Sequence, residues 1–248
     1  MPVGSTAIMM PLQKGRYTVR PAQSAADLTA SLALRARAFG AVGGVSDRFD
    51  DSAQHVLVLA QDSGKAVATF RMSLLAGAQI DQSYAAQYYD LAKLTAFDGP
   101  MLELGRFCID PAFHDPDILR IAWAALTSYV DATGVRLLFG CSSFAGTDPA
   151  DYLDAFALLK ARYLAPKRWA PAVKAPDVFR YAARLDHAPD IKRANAAMPP
   201  LLRTYLMMGG WVSDHAVVDH TMGTLHVFTG LEIEAIPPAR KTLLRALI

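Results

Sequence analysis

The pattern of apolar and polar residues predicts alternating strands and helices along the whole chain. Short apolar runs bounded by turn residues predict strands at 17–20, 55–61, 65–74, 101–109, 135–142, 216–219 and 225–229. Apolar residues at helical spacing predict helices at 24–39, 115–133, 148–163 and 200–209. This order of elements predicts an α/β fold, which we assign to one domain over residues 1–248.

Turn and cap residues support several of these boundaries. Asp62-Ser63-Gly64 lies between two β-rich runs and predicts a hairpin. Asp115-Pro116 and Asp148-Pro149 each place an N-cap before a proline at the first helical position, and Gly134 closes the first of these helices. The remaining stretches are predicted as a loop (40–52), a short helix with a loop (81–99) and a proline-rich insertion of unpredicted shape (164–198).

Composition bears on the cellular location. Hydrophobic residues make up 52% of the 248 residues, yet no apolar run approaches the roughly 18 residues that a membrane-spanning helix needs. The N-terminus, M-P-V-G-S-T-A-I-M-M-P, lacks the basic and apolar regions of a signal peptide. We therefore expect a cytoplasmic protein with at most a peripheral contact to the inner membrane.

The charge distribution suggests a partner more clearly than the net charge does. A net charge of +2 gives no reason to expect nucleic acid, and we predict none. Six basic side chains cluster in one stretch, which is either a solvated face or a patch that steers an acidic protein or an anionic membrane. They are Lys160, Arg162, Lys167, Arg168, Lys174 and Arg180.

Neither the cysteines nor the histidines are spaced as metal ligands. Cys108 and Cys141 lie in apolar runs, which is typical of reduced, buried cysteines in a cytoplasmic protein. His215, His220 and His226 share one C-terminal region, where we interpret them as incidental residues of a hairpin. We predict no metal and no resident cofactor.

The strand predicted at 101–109 carries an acidic and a basic side chain within an apolar run. Glu103 and Arg106, three residues apart, would face opposite sides of a regular strand. Gly105 predicts a β-bulge, and its extra residue would return both side chains to one face. Two interpretations follow, a structural ion pair or a catalytic strand with a base, an anion clamp and a free backbone N–H at the bulge.

Further motifs lie in order around this strand. Upstream are L-R-A-R-A-F with Arg35, S-D-R-F-D with Asp47 and Asp50, and A-T-F-R-M-S with Arg71. Downstream are L-F-G-C-S-S-F-A-G-T-D-P and P-P-L-L-R-T-Y-L-M-M-G-G-W. The set resembles the branch of the GNAT superfamily that contains acyl-homoserine lactone synthases and ornithine N-acyltransferases, and the two downstream motifs resemble only the latter. The resemblance spans about residues 16–236 and implies a GNAT-like mixed, mostly antiparallel sheet with helices on both faces.

An N-acyltransferase must deprotonate an ammonium group, hold its carboxylate and stabilise an oxyanion. Glu103 is our candidate general base, directly or through a water, because burial would raise its pKa towards neutrality. Arg106 and Arg71 suit a bidentate clamp on a carboxylate, and the backbone N–H near Gly105 suits the thioester oxygen.

Other residues are weaker candidates for the site. Asp47 and Asp50 could hold a cationic group of the acceptor, or serve only as loop and cap residues. Arg35 has an alternative role as a solvated helix residue. The resemblance implies that acyl chains thread near Ser142 and Ser143. For Asp148 the helix-cap role is the better interpretation.

The acyl donor is inferred from a missing loop. GNAT enzymes that use acyl-coenzyme A usually carry a glycine-rich loop that cradles the pyrophosphate at a helix N-terminus. The corresponding stretch here, D-P-A-F-H-D-P-D-I-L, has no glycine and places Asp115 and Asp117 where they would repel phosphates. Acyl carrier protein, with a single phosphate on its phosphopantetheine, fits better and is the donor that the resemblance implies.

The resemblance makes ornithine the first choice of acceptor, with a lyso-ornithine lipid as the product. Glutamine is the main alternative. An acyl-homoserine lactone synthase is a second, although those proteins usually carry a tryptophan that residues 40–46 lack. A third is a non-catalytic module that only binds acyl carrier protein, against which the intact set of Glu103, Arg106 and Arg71 argues.

Overall fold

The computed structural model describes residues 8–40 and 46–246. Predictions for residues 1–7, for 41–45 within the loop at 40–52, and for residues 247–248 therefore lie outside the described residues.

The described residues form strands and helices in the predicted order, with additions. The strands are β1 (Leu12–Lys14), β2 (Tyr17–Pro21), β3 (Gln54–Ala60), β4 (Ala66–Leu75), β5 (Tyr89–Asp90), β6 (Met101–Ile109), β7 (Leu137–Ala145), β8 (Ala172–Val173), β9 (Val178–Phe179), β10 (Trp211–Val212), β11 (Ala216–Asp219) and β12 (Thr224–Glu232). The helices are α1 (Ala25–Phe39), α2 (Pro116–Thr133), α3 (Leu153–Arg162), α4 (Tyr181–Arg184), α5 (Ile191–Ala197), α6 (Pro200–Met207) and α7 (Pro238–Arg245).

Ten of these strands make one sheet, in the order β1-β2-β3-β4-β6-β7-β12-β11-β9 with β10 also paired to β12. Every pairing in this sheet is antiparallel except that of β6 with β7, which is parallel. The predicted mixed, mostly antiparallel sheet is confirmed.

Helices cover both faces of the sheet, as predicted. Leu102 and Leu104 of β6 point to the face covered by α2 and α6, where they join a core with Ile118 and Tyr205. We call this the helix-bundle face. Glu103, between them, points to the other face, where α1 packs against β4 through a 2.7 Å hydrogen bond between the Ser31 and Thr69 hydroxyls. We call this second face the α1 face.

The boundaries set by cap residues are confirmed at α2. Asp115 accepts the N–H of Asp117, and Gly134 ends α2 with a φ of 65°. Asp148 likewise accepts the N–H of Ala150, which confirms its role as a cap, although the first turn that follows is a 3-10 helix.

Several elements differ from the prediction. The first strand is β1 rather than the run at 17–20, and α7 was not predicted. The stretch 81–99 contains short 3-10 helices and β5, which pairs with β8 of the insertion. The insertion at 164–198 holds two short strands and two short helices, because its prolines interrupt backbone hydrogen bonding too often for longer ones.

The parallel strands β6 and β7 diverge halfway along their length. They pair only from Met101↔Leu137 to Glu103↔Phe139, whereas β7 stays paired with β12 to its end. Gly140 follows the last pair, and a Cβ atom there would lie 2.3 Å from the Leu104 carbonyl oxygen. Only glycine therefore lets the two backbones approach closely where the strands begin to separate.

Gly140→Ala should destabilise the fold strongly, because the clashing atom is backbone and cannot rotate away. We expect a loss of about 1–3 kcal/mol or more, as for overpacked cores. Gly105→Ala is the matched control, since its Cβ would meet only the flexible Arg71 side chain at 3.4 Å. Urea unfolding of both variants checks this, and equal stabilities would contradict the proposed close approach.

Candidate functional site

A cleft of about 210 Å³ opens where β6 and β7 separate. Because the opening passes between two strands, side chains from both faces of the sheet line it. On the α1 face the lining is largely polar and includes Arg71, Tyr84, Arg106, Asp219 and His226. On the helix-bundle face it is largely apolar and includes Leu104, Phe107, Leu201 and Leu202.

The predicted β-bulge is present, and it carries Arg106 to the cleft. Thr69 lies opposite Cys108 and Arg71 lies opposite Gly105, so two residues of β6 oppose one residue of β4. The positive φ belongs to Arg106, at 54°, and not to Gly105. The bulge places Arg106 on the same face as Arg71, where both guanidinium groups lie over the Tyr84 ring, 5.1 and 5.4 Å from its centroid.

Arg106 and Arg71 share one carboxylate. Arg71 donates to both oxygens of Asp47 at 2.6 and 3.0 Å, and Arg106 donates to Oδ2 of the same residue at 2.7 Å. Burial alone would raise the pKa of Asp47, but the bonds from these arginines outweigh it and hold the pKa below its usual range.

Asp50 joins Arg71 to a third arginine. Its Oδ1 accepts from Arg71 and from Arg35, each at 2.7 Å, and its Oδ2 accepts the N–H of Asp47 at 2.9 Å. Arg35 is 1% exposed, so its alternative role as a solvated helix residue is wrong. His55 lies 3.1 Å from Arg35, and burial lowers its pKa, which keeps its ring neutral.

The cluster has an excess of positive charge. Three arginines carry three positive charges, and the two aspartates that they bind, Asp47 and Asp50, carry two negative charges, so this ion-paired network has one positive charge in excess. The cations that both aspartates hold here are arginines of the chain itself, and Asp50 also serves the predicted loop role. At the cleft wall the cluster can accept one anion.

Glu103 lies behind this cluster and contacts backbone rather than arginine. Its two oxygens accept the N–H groups of Tyr84 and Ala85 at 2.9 and 2.8 Å. Among the described residues no ion pair joins it to Arg106, so the interpretation as a structural ion pair is wrong. Burial raises the pKa of Glu103 to about 7, although the two backbone bonds oppose the shift.

The two serines point to opposite faces of β7. Ser142 is buried on the helix-bundle face and accepts a 2.9 Å hydrogen bond from Thr229. Ser143 is exposed on the α1 face, opposite His226 of β12. Both line the cleft, as does Gly105.

Among the residues of the cleft region that were not predicted are Asp219, Tyr88 and His226. Asp219 accepts a 3.2 Å hydrogen bond from the Tyr88 hydroxyl, and the His226 ring lies edge-on to Tyr88, 4.8 Å away. His226 belongs to the β11–β12 hairpin but is not incidental, because it lines the cleft. A period-two count along β11 would have placed Asp219 on the face of the buried Val217, whereas His226 joins that face only through its pairing with Val217 across the hairpin.

No group of three or more histidine, cysteine or acidic side chains that could hold a metal occurs within residues 8–40 and 46–246. Cys108 and Cys141 are both free thiols, and burial raises the pKa of Cys108 to about 12. The absence of a metal stays a prediction.

Known proteins are similar to this chain in sequence. Residues 34–124 match the acetyltransferase (GNAT) domain family. The chain is 31% identical over 238 residues to an L-ornithine N(alpha)-acyltransferase of Rhodobacter capsulatus, an alignment covering 89% of this chain and 91% of the relative. It is 32% identical to the Brucella abortus protein of the same name, with coverages of 90% and 86%.

A solved structure has the same architecture at much lower identity. FeeM, an N-acyl amino acid synthase from uncultured soil microbes, superposes with a TM-score of 0.51 and 13% identity, covering 96% of this chain and 99% of that chain. The likeness confirms the predicted GNAT-like fold.

Proposed function

Since this chain belongs to the L-ornithine N(alpha)-acyltransferase family of GNAT enzymes, we propose that it acylates the α-amino group of ornithine with a 3-hydroxy fatty acyl group. Acyl carrier protein is the proposed donor, and a lyso-ornithine lipid is the product. The observation that carries the proposal is the unmatched positive charge of the arginine cluster at the cleft, which suits the α-carboxylate of an amino acid.

The chemistry assigns a role to each face of the cleft. The acceptor lies on the α1 face, with its carboxylate against Arg71 and Arg106. The acyl chain lies against the apolar residues of the helix-bundle face, such as Leu201 and Phe107. The amine nitrogen attacks the thioester carbon, the carbon–sulfur bond breaks, and the carrier leaves as a thiolate, which takes up the proton that the nitrogen loses as the amide forms.

Glu103 is the proposed base. Its pKa of about 7 matches the working range of a general base, and each of its oxygens can accept a further hydrogen bond besides the one from backbone. It does not line the cleft, so we propose that a water carries the proton from the amine to it. The backbone N–H of Gly105 remains our candidate donor to the thioester oxygen.

Support for acyl carrier protein comes from the start of α2. The side chain of Asp115 accepts the N–H of Asp117 and also the Tyr17 hydroxyl at 2.8 Å. A carboxylate thus occupies the helix terminus where a pyrophosphate would need free amides. Asp115 is paired with Arg16 and Asp117 with Arg120, so coenzyme A is disfavoured by the occupied helix terminus and not by a local excess of negative charge.

We expect long-chain 3-hydroxyacyl carrier protein to be turned over far faster than the matching coenzyme A thioester. Thiol release is measured with ornithine as acceptor, and mass spectrometry identifies the product. Equal turnover of both donors would contradict the proposed carrier. Formation of acyl-glutamine alone from an equimolar mixture would replace ornithine by glutamine as the acceptor.

The basic cluster is the proposed docking surface for the carrier, though part of it has other contacts. Lys160 and Lys174 donate to backbone carbonyls, and Arg168 pairs with Glu232 at 3.1 Å. Lys167 is exposed and better suited to a test. Lys167→Glu should raise KM for the carrier protein, more so at low salt, whereas Lys65→Glu on the β3–β4 hairpin should not.

No helix among the described residues is long and apolar enough to cross a bilayer. A lipid product would nevertheless have to reach a membrane, so a cytoplasmic enzyme with a peripheral membrane contact remains our proposal for its location.

A further inference from the structure

The proposed acceptor carries a second cation for which the arginine cluster has no place. Ornithine differs from neutral amino acids by a side-chain ammonium group. Asp47 and Asp50 are bonded to arginines, and the unmatched charge beside them is positive. An ammonium group placed there would be repelled, so its partner must lie elsewhere in the cleft.

Asp219 is a buried carboxylate on the same face of the cleft, and it is 5% exposed. Its two hydrogen-bond donors are neutral. Oδ1 accepts the N–H of Met222 at 3.0 Å and Oδ2 accepts the Tyr88 hydroxyl at 3.2 Å. None of the ion pairs found among the described residues involves Asp219. Buried carboxylates are rarely left without a cation, which points to one that arrives with a ligand.

A second polar group beside it also lacks a partner. His226 is 2% exposed and lines the same cleft, and its Nε2 has no hydrogen-bond partner. Burial lowers the pKa of His226 to about 4, so the ring stays neutral at physiological pH and adds no repelling charge. The Tyr89 hydroxyl donates to the His226 carbonyl at 2.8 Å and lies 3.1 Å from Nδ1, so Nδ1–H donates to the hydroxyl oxygen and Nε2 is left as an acceptor. A neutral ring and a carboxylate together suit an ammonium group, because both can accept from it.

We propose that Asp219 binds the side-chain ammonium of the acceptor and thereby selects amino acids with a cationic side chain. The inference rests on the proposed function and adds a specificity-determining residue to it. The α-carboxylate would lie at Arg71 and Arg106, the side-chain ammonium at Asp219, and the reacting amine between them.

Norvaline provides the sharpest test, because it is ornithine without the terminal amine. Asp219→Asn should lower kcat/KM for ornithine about 10- to 100-fold, as expected for loss of a charge-assisted hydrogen bond. It should leave kcat/KM for norvaline and KM for the acyl donor nearly unchanged. Calorimetric titration of ornithine in the absence of donor gives an affinity that is independent of catalysis, and that affinity should fall by the same factor.

Asp177→Asn is the matched control, since Asp177 lies near the same hairpin but is exposed and paired with His220. This variant should leave kcat/KM unchanged for both ornithine and norvaline. An unchanged ornithine-to-norvaline ratio in Asp219→Asn would overturn the inference while leaving the proposed function intact. Failure of the wild-type enzyme to acylate ornithine would instead overturn the proposed function.

A second variant addresses the case in which Asp219→Asn does not fold. Asp219→Glu keeps the charge and moves the carboxylate one methylene group into the cleft. Its preference should shift from ornithine towards 2,4-diaminobutyrate, whose side chain is one methylene group shorter. An unchanged ranking of these two acceptors would also count against direct contact.

Discussion

Glu103→Gln should lower kcat by roughly 10²- to 10⁴-fold, the usual contribution of a general base. The amide keeps the shape of the side chain but cannot accept a proton. Steady-state kinetics with saturating donor and acceptor measure the effect. Glu234→Gln is the matched control, because Glu234 is exposed and pairs with Arg136 at the surface.

The same substitution has a separate and smaller effect on stability. Both carboxylate oxygens of Glu103 accept backbone N–H groups, and the amide would present its own N–H₂ group to one of them. The cost is about 1–3 kcal/mol, the penalty for a buried donor left without a partner. A large loss of stability with full activity in the folded fraction would contradict the catalytic role and leave Glu103 as an anchor for the backbone at Tyr84.

The pH profile separates these roles further. A base must be deprotonated to act, and the pKa of Glu103 is raised to about 7. Wild-type kcat/KM should therefore rise with pH through about 7 and then flatten, apart from the titration of the acceptor amine itself. That rise should be missing in Glu103→Gln.

Asp50→Asn should cost about 3–5 kcal/mol of stability, the range measured when one partner of a buried ion pair is removed. Asp50 is the carboxylate partner of Arg35, which is 1% exposed and cannot turn to solvent. Its loss would leave a buried guanidinium without a counter-charge. Thermal and urea unfolding measure the effect, and Asp51→Asn at the exposed neighbour should change little.

The sign of the pH dependence follows from the lowered pKa. Burial alone would raise the pKa of Asp50. The hydrogen bonds from Arg35, the Asp47 backbone and Arg71 outweigh this effect, so the pKa is lowered. The contribution of Asp50 to the stability of the fold is therefore complete above the pKa of about 4 that an aspartate has in the unfolded chain. It is lost as pH falls through the pKa of Asp50 in the folded protein. The stability difference between wild type and Asp50→Asn should be largest at neutral pH and shrink in acid. A difference that does not vary with pH would contradict a role for the charge.

The elements that the sequence predicted well are those fixed by local chemistry. Asp115 and Gly134 bound α2 as expected, because a cap needs only its own side chain and the adjacent backbone. The insertion at 164–198 could not be predicted for the opposite reason. Its short strands exist only through partners distant in sequence, such as β5 and β11.

In the site, too, features fixed by local sequence could be predicted and those that depend on distant segments could not. A bulge in β6 could be predicted from Gly105, but the residue that adopts the positive φ is Arg106. Arg106 is held there by an ion pair with Asp47, which lies in the loop before β3. An ion pair of Arg106 with Glu103 was one of two interpretations, and the actual partner, Asp47, was not predicted, because sequence spacing shows which residues are near along the strand and not which loop folds over it. Asp219 was missed for that reason too, since its importance comes from a cleft formed by distant strands.

The separation of β6 and β7 has a consequence for kinetic order. A gap within a sheet can be reached from both of its surfaces, so donor and acceptor would not compete for one portal. Binding in either order to form a ternary complex then becomes feasible, without a covalent acyl-enzyme. The discharged carrier would inhibit competitively against the donor alone. The amphiphilic product would be assembled across the sheet, with its headgroup on one side and its chain on the other.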